Sequence, residues 1–201
     1  MIRSPDLAVD YKKSFLSSDK DKKTILYRLF MESKPYSNYI KRLLVINNKD
    51  CLSDKNQEYE RIANGYSLKR LMDEGYVRIV PKLELGEHED LKSYVMITDD
   101  DYSASSNPNY RTSTITIWVL SALEAWELDN FELRPWKIAG YIDGIMSGMK
   151  LSGIGRLEFV GAQNYFLSND LGGVVMYYTA YHGTEDKNPE WGDPKDLKDV
   201  M

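Results

Sequence analysis

The sequence predicts an α+β fold: a small, mostly antiparallel sheet with a helix packed on one face, preceded by an N-terminal helical segment. Three observations carry this. Apolar residues recur at helical spacing as far as Gly75. Beyond it the period changes to strand-like alternation, clearest in "STITIWVL" (113–120), where Ile115, Ile117 and Val119 share a face. A helical stretch opening at Pro135 is then followed by two strand patterns, "GRLEFVGAQNYFL" and "GGVVMYYTAYHG".

In chain order, the first residues read as a polar arm with a break at "SSDKDKK" (17–23). From Thr24 the pattern is helical, with Ile25, Leu26, Leu29 and Phe30 on one face, and Pro35 limits that helix. The run "YSNYIKRLLVINN" fits a helix or a strand. Another helical stretch follows "SDKNQEY", with Tyr59, Ile62 and Ala63 aligned. Asn64-Gly65 interrupts it, Leu68, Leu71 and Met72 resume the stripe, and Gly75 suits the position just past a helix end. "YVRIVPKLEL" alternates as a strand that Pro81 confines to an edge or a bulge. "SYVMI" (93–97) is a second strand, and "TDDDYSASSNPNYRTS" reads as a long polar loop. "EAWELDNFEL" connects the central strand to the helix, and "SNDLGG" turns between the last two strands. The expected organisation is an arm and helical segment over 1–66, an α+β domain over 67–183 and an extended charged tail over 184–201.

With 201 residues, 42% hydrophobic and 28% charged, the chain can bury one core and has the composition of a soluble globular protein. No apolar run is long enough for a membrane helix, and "MIRSPDLAVDYKKSF" has no apolar stretch of a secretory signal, so neither is expected. The single cysteine, Cys51, excludes an intramolecular disulfide and fits a reducing compartment. Net charge is −5, unevenly divided: residues 1–64 hold 13 Lys/Arg against 9 Asp/Glu, and the remainder 13 against 22. Such a split can steer association between copies or layers of an assembly.

The glycines of "RPWKIAGYIDGIMSGMKLSGIG" decide between two kinds of function. On a helical wheel Ile138, Ile142, Ile145 and Met149 form one stripe, which is the face for the sheet. Gly140, Gly144 and Gly148 form a second stripe roughly 130° away. Each interior glycine costs about 0.5–1 kcal/mol relative to alanine, so a bare stripe makes sense where another backbone lies against it, within or between subunits. A phosphate-binding loop requires glycines after a strand and opening a helix, whereas Gly153 and Gly155 follow the helix and precede a strand. The glycines therefore argue for packing and against a cofactor.

No catalytic constellation is expected, and no metal or cofactor. Asp99, Asp100 and Asp101 lack the spacing of a calcium loop, although with His88 they make the alternative of a small metal-dependent hydrolase. His182 and Cys51 have no partner at zinc-ligand spacing, and Ser103, Ser105 and Ser106 sit outside any nucleophile elbow. The acidic balance makes nucleic-acid binding a weak reading.

Over residues 114–183, the strand "TITIWVL", the "LRP" entry to the helix, the "GIG" turn and the Gly-Gly start of a final aromatic strand resemble the tail terminator (tail completion) proteins of tailed bacteriophages. The resemblance implies an α+β domain that forms a closed ring, commonly a hexamer, at the virion neck. Such a ring caps the tail tube and offers a docking surface to head-completion or connector proteins. DNA passage through it would involve no sequence-specific binding. Implied locations are the virion neck and, during assembly, the host cytoplasm. The N-terminal helical addition departs from the minimal family domain and keeps a head-closure ring open as the alternative; a generic adaptor domain is a third reading. Candidate interface residues are Trp126, Arg134, Trp136, Lys137, Gly140, Gly144, Gly148 and Trp191, chosen as anchor types or as the bare helix flank.

Overall fold

A computed structural model describes residues 16–32, 35–79, 92–104, 110–147, 149 and 157–183. Helix α1 (Leu16–Tyr27) runs on into a π-helical turn (Arg28–Glu32), followed by α2 (Tyr36–Val45), α3 (Gln57–Asn64) and α4 (Leu68–Asp73). Strands β1 (Val77–Arg78), β2 (Ser93–Ala104) and β3 (Tyr110–Ala122) lead through two 3-10 turns (Leu123–Ala125 and Asp129–Phe131) to α5 (Arg134–Met146). The hairpin β4 (Glu158–Phe166) and β5 (Leu171–Gly183) completes the α+β fold. The five strands form one sheet in the order β1-β2-β3-β5-β4, antiparallel except for β1 against β2.

Local signals explain most helix boundaries. Asn56 and Ser67 cap α3 and α4 by accepting the backbone N–H groups of Glu58 and Arg70. Gly75, with φ of 80°, takes the left-handed conformation that ends α4. The ambiguous run after Pro35 is the helix α2, which buries Ile40, Leu43 and Leu44.

Two expectations are corrected. The polar "SSDKDKK" break lies inside α1. There Asp21 is buried and Lys22 reaches to 3.0 Å from Asp99 of β2, so tertiary contacts hold a turn that its own composition does not favour. Likewise, most of the supposed polar loop after Thr98 is strand. The β2–β3 ladder continues to Ala104↔Arg111, with one irregularity at Asp100 and a 3.1 Å hydrogen bond between the Ser103 and Thr112 hydroxyls. Because β5 pairs with β3 as far as Tyr110↔Gly183, the end of β3 is held from both sides and the pairing overrides turn propensity.

One core joins the helices to a single sheet face. Ile25, Leu29, Phe30, Ile40, Leu43 and Leu44 cluster with Val95, Ile97, Ile115, Ile117, Val174 and Met176. From α5 come Ile138, Ile142, Met146 and then Met149, so the expected stripe is correct except that Met146 supplies the buried contact and Ile145 is half-buried. A smaller cluster of Tyr94, Met96, Leu120 and Leu171 occupies the opposite sheet face. The Tyr178 hydroxyl donates to Asp143 Oδ1 at 2.8 Å, fastening β5 to α5. Burial and this bond together push the phenol far above its ordinary pKa. Tyr178→Phe is expected to lower unfolding free energy by about 1.5 kcal/mol in urea titration at neutral pH.

Candidate functional site

Helix α5 begins with a buried cation. Arg134 is 0% exposed. Its Nε donates to the Ala125 carbonyl (2.7 Å), Nη1 to those of Leu43 (2.7 Å) and Ile46 (2.6 Å), and Nη2 to those of Asn47 (2.9 Å) and Asn48 (3.0 Å). No carboxylate among the described residues pairs with it. Its charge is met instead by carbonyl dipoles at and just beyond the C-terminal end of α2, where helix geometry leaves carbonyls without partners. Burial lowers its pKa, and Cys51, whose Sγ lies 3.7 Å from Nη1, opposes that shift. Burial pushes the Cys51 thiol up, against the lowering effect of Arg134. Arg134 was expected on a surface and is in the interior. It clamps the segment after α2 to the entry of α5, which fixes the course of residues 125–134.

The outer flank of α5 is open. A β-carbon built at Gly140 or Gly144 would meet nothing within 4 Å, so among the described residues no backbone lies against these two glycines. Trp136, one helical turn before Gly140, is 42% exposed and donates from Nε1 to Asn164 Oδ1 of β4 at 3.0 Å. Lys137 faces the other way: its ammonium bonds Glu132 Oε1 at 2.6 Å, which raises its pKa, and lies 5.6 Å from the Tyr141 ring. Tyr141 in turn contacts the Tyr36 and Tyr39 rings of α2. Trp126 is half-buried, donates to the Ser121 carbonyl at 3.0 Å, and stacks on Phe166 with ring centroids 5.7 Å apart. Gly148 and Trp191 lie outside the described residues.

Trp126 and Trp136 thus meet the end of β4, and residues that sequence reasoning missed complete the surface. Phe131 is fully exposed, with φ of 62°, and Leu133, two residues on, and Phe166 of β4 are exposed as well. Strand β4 is an outer strand with Phe159, Val160 and Phe166 exposed, and between Phe159 and Phe166 it carries no charged residue or proline. Its sequence, "EFVGAQNYF", held the signal: edges that are meant to stay unpaired usually carry lysine or proline.

Of the residues considered for chemistry, Asp99, Asp100 and Asp101 are consecutive on β2. Asp99 pairs with Lys22, Asp100 Oδ1 accepts the Thr98 hydroxyl at 2.8 Å, and Asp101 is exposed farther along β2. His88, Ser105 and Ser106 fall outside the described residues. Among the described residues no three His, Cys, Asp or Glu side chains gather as a metal set, and no helix is long and apolar enough to cross a membrane. A cleft of about 250 Å³ lies between the loop around Asp50 and the turn around Asp129, with both acidic and basic groups in its walls.

A protein-family model, YomW, matches residues 37–180. That family is phage-derived and takes its name from a gene in the SPbeta region of a Bacillus phage. No curated protein matches the chain.

Proposed function

We propose, from the premise that the chain belongs to the phage-derived YomW family, that it is a structural protein of the phage neck. In this reading it is tail terminator-like: copies close into a ring that caps the tail tube and joins it to a head or connector protein. Protein–protein contacts alone do the work. The observation that carries the reading is the aromatic and glycine surface along the outer flank of α5 and β4. It is built on rigid elements, and its glycines have open space beside them. Gly140 and Gly144 weaken the helix by about 0.5–1 kcal/mol each, with no compensating contact among the described residues.

Native mass spectrometry and negative-stain microscopy of the purified protein, alone and with tail tubes, test this. A ring, or a monomer that closes into one on tubes, is expected. A monomer that ignores tubes would overturn the reading. Gly140→Leu with Gly144→Leu should unfold at equal or higher urea concentration than wild type and fail to assemble, since the added side chains fill open space on one chain and collide only with a neighbour.

A further inference from the structure

Phe131 is the residue whose placement the fold of one chain does not explain. It is the non-glycine residue with positive φ among the described residues, and its side chain touches too little to be shielded. The left-handed region disfavours a residue with a β-carbon, and an exposed ring returns nothing to the monomer. It stands in the turn that the Leu128 N–H closes on the Glu132 carbonyl. The Glu127↔Leu133 bridge, the Arg134 N–H on the Trp126 carbonyl, the Trp126–Phe166 stack and the Trp136–Asn164 hydrogen bond tie that turn to the exposed Leu133, Trp136 and Phe166. The rim is acidic. Glu124, Asp129 and Asp170 are exposed and form no ion pair among the described residues, and the Asp170 carbonyl accepts the Leu123 N–H beside them.

A second exposed apolar stripe lies on the helical segment. Lys23, Tyr27 and Met31 follow one another at four-residue spacing along α1 and its π-helical turn, all three exposed, and Lys23 has no ion pair among the described residues. The two surfaces stand on different elements, the stripe on α1 and its π-helical turn, the knob on the turn before α5 and on β4. Helix α5 itself turns its Tyr141 side to α2 and its Trp136 side to β4. They also differ in charge, as do the halves of the chain: +4 from 13 basic and 9 acidic residues over 1–64, −9 from 13 and 22 over the rest. Two unlike, complementary surfaces on one chain make a head-to-tail contact, which closes a ring when the rotation allows.

We infer that the Phe131 knob, with Leu133, Trp136 and Phe166, docks onto the Lys23–Tyr27–Met31 stripe of a second copy of this chain. This rests on the ring reading above and names the two faces it uses. The acidic rim takes the lysine side, so the contact weakens as salt rises.

The test uses full-length protein, native mass spectrometry and sedimentation velocity. Phe131→Gly should associate at least tenfold more weakly than wild type, yet unfold at the same or a higher urea concentration, because glycine accepts the left-handed conformation. Met31→Asp should be folded by circular dichroism and equally impaired. Mixed together, the two variants should form a heterodimer that neither forms alone, since each keeps one intact face; Lys23→Glu repeats the Met31 arm with a purely electrostatic change. If wild type assembles and Phe131→Gly assembles equally well, or the mixture stays monomeric, the two-face assignment falls while the ring stands. If wild type stays monomeric with and without tail tubes, the ring reading itself falls and takes this contact with it.

Discussion

Replacing Arg134 with methionine is expected to lower the unfolding free energy by about 4 kcal/mol, measured as the urea midpoint and slope at neutral pH. Methionine matches much of the apolar stem but removes the guanidinium from five carbonyls. That of Asn48 keeps the Cys51 N–H at 3.3 Å, whereas those of Leu43, Ile46, Asn47 and Ala125 lose the donor that Arg134 supplied. Each buried carbonyl stranded in this way costs about 1–3 kcal/mol, partly relieved by the cation no longer needing to be desolvated. Lysine should recover only part of the loss. Its compact ammonium offers three donors from one point and cannot span carbonyls that approach the guanidinium from both edges. A methionine variant within 1 kcal/mol of wild type would show that the segment after α2 finds other partners.

The second large effect is expected at Gly173, where alanine should cost about 3 kcal/mol or prevent folding. Gly173 lies opposite Leu120 in the β3–β5 ladder and opposite Tyr165 in the β4–β5 ladder. A β-carbon there would overlap the Val119 carbonyl oxygen and stand 2.9 Å from its carbon and 3.0 Å from Leu120 Cα. These are backbone atoms in the middle of the sheet, so relief requires two central strands to part. Gly161→Ala is the matched control on β4, since a β-carbon at Gly161 meets nothing within 4 Å and should leave stability nearly unchanged. A Gly173→Ala midpoint equal to that of Gly161→Ala would refute the close approach.

These two positions mark how far sequence reading reaches. Arginine at a helix start reads as a surface or interface residue because charged side chains are seldom fully buried. The carbonyls that receive Arg134 come from as far as 91 residues earlier in the chain, which no local window contains. On the described part of the helix Gly140 and Gly144 are open, whereas the tightest backbone approach among the described glycines is at Gly173. Spacing on a helical wheel shows which flank is bare but not whether anything lies against it. Phe131 was hidden for a related reason, because an isolated aromatic in "DNFEL" carries no period.

What the sequence determined by itself is the succession of helices, strands, a helix and a closing hairpin, apart from the run after Pro35, together with the α+β class, the ending of α4 at Gly75 and the face of α5 that Ile138 and Ile142 bury. Periodicity, caps and glycine conformation are properties of a few consecutive residues, so they survive without knowledge of the fold. The tertiary structure alone decided that α1 includes its polar turn, that β2 and β3 run to Ala104 and from Tyr110, and that Arg134 is interior while Phe131 stands in solvent. Each of those outcomes is set by contacts between distant segments, where pairing and desolvation outweigh local preference.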